Sequence, residues 1–177
     1  MAIKIFKTEY NSPVGNLTLY SDGKNLTGLY IEGQKHFKNA DTAQLKDDLE
    51  IFSITKAWLD DYFNGKNPEI SLPLAPMGGD FRKEVWKILC KIPYGKTATY
   101  GEIAKEIADK RGVLKMSAQA VGNAIGHNPI SIIVPCHRVV GQNGNLTGYA
   151  GGIDKKLKLL CLEGTDTTKF FIPKKVN

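Results

Sequence analysis

Thr99-Tyr100-Gly101-Glu102-Ile103 and, a short connection later, Ser117-Ala118-Gln119-Ala120-Val121-Gly122-Asn123-Ala124-Ile125-Gly126 are the stretches whose reading decides the fold. In the first, Thr99 and Glu102 have the spacing of a capping box: the threonine hydroxyl bonds an early helix amide and the glutamate reaches back. Ile103, Ile107 and Ala108 then supply a buried stripe. In the second, Ser117 is a ready N-cap, and the small side chains that follow let the helix backbone approach another surface closely. Two short helices joined through Arg111-Gly112-Val113-Leu114-Lys115-Met116 have the look of a helix-turn-helix, with a connection longer than the usual three or four residues. Ordinary helical packing is the alternative.

Toward the C-terminus, Asn128-Pro129 leads into Ile130-Ser131-Ile132-Ile133-Val134. This run is too short for a typical helix and rich in β-branched residues, so a buried extended segment is predicted. It delivers Pro135-Cys136-His137-Arg138. Asn143-Gly144 marks a turn, Gly148-Tyr149-Ala150-Gly151-Gly152 a flexible loop, and Asp154 is predicted to cap a last helix that Gly164 closes after Glu163. Toward the N-terminus, Asp80 is predicted to cap a helix carrying Phe81, Val85, Ile88 and Leu89, which Pro93-Tyr94-Gly95 ends.

Residues 66–79 hold Pro68, Pro73, Pro76, Gly78 and Gly79, which resist helix and suit an inter-domain connection. The chain is therefore divided into an N-terminal α+β domain (1–76) and a C-terminal domain (77–177). From Ile3 to Gly33, short apolar runs alternate with turn signals at Ser12-Pro13, Asp22-Gly23 and Glu32-Gly33, predicting a small antiparallel sheet. Asp41 is predicted to cap a covering helix through Leu45, Leu49, Phe52, Leu59, Tyr62 and Phe63, stopped by Gly65. No chemistry is visible in this half: His36 stands alone, and Asp47, Asp48, Asp60 and Asp61 are what the wet side of a helix carries.

A chain of 177 residues, 42% apolar, can bury one good core or two small ones. No stretch has the roughly 18 apolar residues that cross a bilayer, and the first residues lack the core of a secretion signal. A soluble, cytoplasmic protein is expected. Three cysteines without CxxC spacing argue against a disulfide framework and a four-thiolate zinc site. The charge is one-sided: residues 1–80 carry 8 Lys/Arg and 11 Asp/Glu, a net of −3, while the second half, residues 81–177, carries 16 and 7, a net of +9, which together make the +6 of the chain. A polyanion would meet that half.

Cys136 ends an apolar run, where cysteine is ordinarily packing material. Its neighbours alter that reading. A thiol reacts as thiolate and needs a base or positive charge within reach, and His137 and Arg138 follow directly. Adjacent side chains often point apart, so a relay from Cys136 to His137 can require a water molecule, and a carboxylate such as Glu163 could hold the imidazole in one tautomer. Metal binding by Cys136, His137, Cys90, Cys161 and His127 lacks the usual ligand spacings. A cysteine hydrolase would use the same pair but leaves the basic half and tandem helices unexplained.

Pro135-Cys136-His137-Arg138-Val139-Val140 resembles the active-site signature of the O6-alkylguanine-DNA alkyltransferases. Val85-Trp86, Pro93-Tyr94-Gly95-Lys96, Thr99-Tyr100, Ala120-Val121-Gly122, Asn128-Pro129, Gly148-Tyr149-Ala150-Gly151-Gly152 and Leu162-Glu163-Gly164 follow the same family's order and spacing. The likeness is close over residues 81–164. It implies an α+β protein in which a ribonuclease H-like N-terminal unit precedes a C-terminal winged helix-turn-helix domain.

The resemblance further implies single-turnover DNA repair, in which Cys136 irreversibly takes an alkyl group from O6-alkylguanine, with O4-alkylthymine a second candidate substrate. His137 would act through a water as base, with Glu163 orienting it, and Tyr100 would donate to the departing guanine. Asn128 would brace the active-site turn, backbone groups of Cys136 and Val139 would hold the purine edge, Tyr149 would line the alkyl pocket, and Lys156 would support the same loop. Ser117, Gln119, Arg138 and Ala150 complete the expected DNA- and substrate-binding set. The partner implied is double-stranded DNA, bound through its minor groove by a monomer that rotates the damaged nucleotide out, with no metal, cofactor or membrane. Two departures stand out: Gln119 occupies a position where many members carry arginine, and Ala150 one where some carry serine.

Overall fold

The computed structural model describes residues 3–37 and 39–174. Contacts divide the chain into two units, one running to Met77 and including Pro129–Ile133, the other formed by Gly78–Asn128 with Val134 onward.

In the first unit, β1 (Phe6–Ser12), β2 (Gly15–Ser21) and β3 (Leu26–Ile31) form an antiparallel meander, with Ser12 opposite Gly15 across a two-residue turn. Asp22 shapes the next connection by accepting from the backbone N–H groups of Lys24 (2.9 Å) and Asn25 (2.7 Å). A two-residue strand, β4 (Gln44–Leu45), adds to the β1 edge in parallel, giving the order β3-β2-β1-β4. Strand alternation puts Thr8, Leu17, Leu19, Leu29 and Ile31 on one buried face. Helix α1 (Glu50–Phe63) packs on β1 and β2 with Phe52, Thr55, Leu59 and Tyr62 buried.

The predicted helix through Leu45 and Leu49 is thus too long at its start. Gln44 donates to the Ile5 carbonyl (2.9 Å) and Lys46 to that of Lys7 (3.0 Å), so this backbone is already committed to the sheet. Leu45 is exposed, Asp41 lies in a turn, and Leu49 is the N-cap. A four-residue apolar spacing imitates helix wherever a strand runs into one.

The open edge of β3 is covered from two places far along the chain. Leu26 donates to Pro73 O (2.8 Å) and accepts from Ala75 N–H (2.9 Å), while Leu29 donates to Pro129 O (2.8 Å) and accepts from Ser131 N–H (2.9 Å). These contacts satisfy strand-edge groups that would otherwise invite pairing with another chain. The Ile130–Val134 run is buried as predicted, but it extends only at Ile130 before turning through Ile132, whose φ of 72° is strained for a β-branched residue.

The second unit holds α2 (Asp80–Leu89), β5 (Ala98–Thr99), α3 (Tyr100–Arg111), α4 (Ala118–Gly126), β6 (Val139–Val140) and α5 (Ile153–Leu162). Gly79 and Gly152, rather than Asp80 and Asp154, are the N-caps of α2 and α5; each aspartate sits in the first turn, where its charge still suits the helix dipole. The capping box at Thr99 and Glu102 forms as read, and Ser117 Oγ accepts from Ala120 N–H at 3.2 Å. Helices α2, α3 and α4 pack through Val85, Trp86, Leu89, Ile103, Ile107, Val121, Ala124 and Ile125, and Trp86 Nε1 donates to Ala124 O at 2.9 Å. Each valine, leucine or isoleucine side chain buried here stabilises by about 1.5–3 kcal/mol. No helix among the described residues is long and apolar enough to cross a membrane.

Candidate functional site

A short parallel ladder organises the site. β5 pairs with β6, Ala98 opposite Val139 and Thr99 opposite Val140, so Tyr100, the first residue of α3, follows the strand that flanks the cysteine turn. Pro135 (φ −81°, ψ 63°) makes an inverse γ-turn in which Cys136 N–H donates to Val134 O at 2.8 Å. A single 3-10 turn, Cys136–Arg138, then leads into β6. Asn128 Nδ2 reaches both Val134 O (2.9 Å) and Cys136 Sγ (3.2 Å), tying the end of α4 to the turn and to the sulfur itself.

Behind the sulfur lies a buried ionic group. His137 Nε2 and Glu163 Oε1 are 2.6 Å apart with both side chains wholly inaccessible. Arg138 grips the same carboxylate through Nε (2.8 Å) and Nη2 (3.0 Å), gives Nη1 to Ile92 O (2.7 Å), and lies over the Tyr94 ring at 5.7 Å. Gly95 N–H supplies a further bond to Glu163 Oε2 at 3.2 Å. Gly95 has φ 75°, and a Cβ there would stand 2.9 Å from the Glu163 carbonyl oxygen, so the turn read as a helix stop also requires glycine to cradle this carboxylate.

These contacts set the charges. Burial pushes the Glu163 carboxyl up, but the hydrogen bonds and charges of His137 and Arg138 outweigh it and hold the group at about 2. Burial pulls His137 below its ordinary value against the pull of Glu163, and Arg138 and Lys156 add to the lowering. The imidazole is therefore neutral, with Nε2–H donated to the carboxylate and Nδ1 left basic. Burial also pushes the Cys136 thiol up, opposed by the Asn128 hydrogen bond and by the charge of Lys156.

Lys156 is wholly buried. Its Nζ donates to Val139 O (2.5 Å) and Thr147 O (3.2 Å), and burial brings it down to about 8 while Cys136 acts the other way. The Thr147 carbonyl also accepts from Tyr100 Oη at 3.0 Å. Burial, with a contribution from Cys136, raises Tyr100 to about 12, so its phenol stays protonated. Gly148 (φ 74°) admits this contact, because a Cβ would lie 2.8 Å from the Tyr100 hydroxyl. Tyr149 is buried, its hydroxyl has no hydrogen-bond partner among the described residues, and burial raises it well above the ordinary value, reinforced by Cys136 and Glu163.

Cys136, His137, Glu163, Asn128, Tyr100, Tyr149, Lys156 and Val139 are thus linked by hydrogen bonds or felt charges. Ser117 and Gln119 stand apart, exposed at the start of α4, and Ala150 is half-buried in the loop after Tyr149. Arg138, placed with the DNA- and substrate-binding residues on sequence, is instead turned inward: its guanidinium is spent on Glu163 and Ile92, so the positive charge acting on the sulfur comes from Lys156. Sequence reasoning gave no part to the Thr147 carbonyl or the Gly95 amide. A backbone group leaves no residue-type signal, although the positions of Gly95 and Gly148 were legible.

Residues 80–165 match the profile of the 6-O-methylguanine DNA methyltransferase DNA binding domain, and residues 5–76 that of the 6-O-methylguanine DNA methyltransferase ribonuclease-like domain. A methylated-DNA–protein-cysteine methyltransferase of Haemophilus influenzae is 39% identical over 173 residues, covering 93% of each chain. That of Methanosarcina barkeri is 46% identical over 154 residues, covering 86% of this chain and 92% of its own. Among solved structures, the Mycobacterium tuberculosis protein in complex with DNA is 44% identical with a TM-score of 0.81, covering 90% of this chain and 93% of that one. Both halves of the chain are accounted for by these likenesses, and the chain belongs to the methylated-DNA–protein-cysteine methyltransferase (6-O-methylguanine DNA methyltransferase) family.

Proposed function

We propose that the protein repairs O6-alkylguanine in DNA by moving the alkyl group onto Cys136 Sγ, once per molecule. The observation that carries this reading is the buried His137–Glu163 pair at 2.6 Å beside a buried cysteine. The carboxylate fixes one tautomer, and His137 Nδ1 takes the thiol proton through a water. The sulfur then attacks the alkyl carbon: the S–C bond forms, the C–O6 bond breaks, and its electron pair passes to the purine. Tyr100, always protonated near neutral pH, turns from the Thr147 carbonyl to donate a hydrogen bond to the departing base, and the proton taken from the thiol ends on the purine. The balance is one thiol and one alkylguanine converted to one thioether and one guanine.

Asn128 and Lys156 oppose the effect of burial on the thiol, and it is proton removal by His137 that supplies the thiolate without an exposed sulfur. One lone pair of the Val139 carbonyl accepts from Lys156 and one of the Cys136 carbonyl from Val139 N–H, leaving the second of each for the purine edge. Tyr149 brings an apolar ring with an uncommitted hydroxyl to the pocket wall.

A buried thiol cannot reach a stacked base, so the nucleotide is rotated out at a cost of a few kcal/mol. Helix α4, with exposed Gln119 near its start and small residues along it, is suited to the minor groove, where Gln119 fills the vacated stack. The M. tuberculosis relative solved in complex with DNA supports DNA as the partner. A monomer suffices for this chemistry, since the proposed reacting groups come from one chain, and a DNA substrate is consistent with a cytoplasmic, nucleoid-associated protein. O4-alkylthymine is a further substrate of the same chemistry. Incubation with an O6-methylguanine duplex should add one methyl to the Cys136 peptide by mass spectrometry and saturate at one per protein; an unmodified Cys136 in folded protein refutes the reading.

A further inference from the structure

The connection between α3 and α4 is not a plain turn. Helix α3 ends at Gly112 (φ 63°), whose N–H bonds Asp109 O while Val113 N–H bonds Ala108 O. The chain then leaves the helix surface, with Val113 at 45% and Leu114 at 107% relative exposure. A single exposed leucine needs no explanation, but two adjacent aliphatic residues at the tip of a helix connection do. The cations beside them are unevenly used. Lys110 pairs with Glu106 (3.0 Å), and Arg111 pairs with Glu84 (2.7 Å) and lies over the Phe81 ring at 5.2 Å. Lys115 makes no ion pair among the described residues. Ser117, the α4 cap, comes two residues later, and Gln119 two after that.

We propose that the Val113-Leu114 tip is a second DNA contact, in which Leu114 wedges a base step in the minor groove beside the extruded nucleotide and Lys115 meets the adjoining phosphate. This rests on the reading of α4 as the minor-groove helix. Charge selects DNA as the occupant: the tip belongs to the half of the chain with the large Lys/Arg excess, and its neighbouring cation is uncommitted. Position supports it, because the tip is continuous with the exposed start of α4. Minor-groove proteins insert apolar side chains to unstack a step and bend the duplex. A bent, partly unstacked duplex gives up a nucleotide more readily, which matters where the residue filling the gap is uncharged Gln119.

The test uses the full-length chain carrying Cys136→Ser, so that transfer does not deplete the complex, and a duplex with one central O6-methylguanine bearing end-labels for energy transfer. Leu114→Ser should weaken binding about tenfold and reduce the bend, as expected for losing one buried aliphatic contact, with thermal melting unchanged. Leu114→Met should keep both, and Lys115→Ala should lower the slope of log affinity against log salt by about one. Unchanged affinity or bend with Leu114→Ser overturns the inference. So does a concentration-dependent dimer abolished by Leu114→Ser, which would assign the tip to a second copy of the chain. Failure of the repair reading is seen separately, as absence of methyl transfer to Cys136 in the otherwise unaltered protein.

Discussion

Glu163 accepts from Nε2 of His137 at 2.6 Å with neither side chain open to solvent, so the imidazole beside the reactive cysteine is held in one tautomer by a group that stays ionised. Glu163→Gln keeps the shape but removes the charge that binds His137 and Arg138. Single-turnover methyl transfer should slow by about 10²-fold or more. Folding stability should fall by about 3–5 kcal/mol, because the Arg138 guanidinium is left buried without a counter-charge. Rapid-quench kinetics and denaturant unfolding check the two effects.

Acid should destabilise the protein in two stages. His137 has a folded pKa below its unfolded value, so the unfolded chain binds the proton first and stability declines as pH falls below about 6.5. Glu163, held at about 2, contributes stability that is full above the unfolded carboxyl value of about 4.3 and is lost as pH falls toward 2. Melting temperature against pH should show both declines, and His137→Gln should remove the first.

Lys156 is the cation acting on the sulfur, and its own pKa of about 8 makes that help conditional. In Lys156→Met the Cys136 thiol should titrate higher and transfer at neutral pH should slow about tenfold. The buried Val139 carbonyl and the part-buried Thr147 carbonyl each lose a donor, so about 1–3 kcal/mol of stability should go as well. Thiolate absorbance near 240 nm, followed against pH, isolates the electrostatic part.

Tyr100→Phe removes both the proposed donor to the leaving purine and the bond to Thr147 O. Stability should drop by about 1 kcal/mol, while transfer should slow by about 10²-fold. A rate loss no larger than the stability loss accounts for would place Tyr100 in the scaffold rather than the chemistry.

DNA affinity should fall steeply between 50 and 200 mM salt, as cationic contacts release counterions. Gln119→Arg should bind tighter and steepen the slope of log affinity against log salt by about one. Fluorescence anisotropy with a labelled duplex measures both; a slope unaltered by the new charge would remove Gln119 from the interface.

Much of the second unit was legible because its signals are local. The Thr99–Glu102 capping box and the Ser117 cap each depend on residues within one helical turn, and short-range hydrogen bonding operates the same way wherever the turn is placed. The start of α1 was misread for the complementary reason: Leu45 and Leu49 have helical spacing, but pairing with β1 nearly 40 residues away captures the segment that contains Leu45. The Pro129–Ile133 stretch, read with the C-terminal half, has its partners on β3.

By itself, the sequence determined the candidate reacting set and its neighbours: a cysteine followed by histidine and arginine, a distant glutamate, a capped helix pair and a basic half. Only the tertiary structure decided the division of labour. Arg138 could face the DNA or the interior, and it is drawn inward because a buried Glu163 carboxylate needs more donors than His137 alone provides. Lys156 could be one more surface cation of α5, yet its burial beneath the Val139 and Thr147 carbonyls makes it the charge felt by Cys136. Residue types and spacing specify which groups are available; which of them neutralise one another depends on distances set by packing across tens of residues.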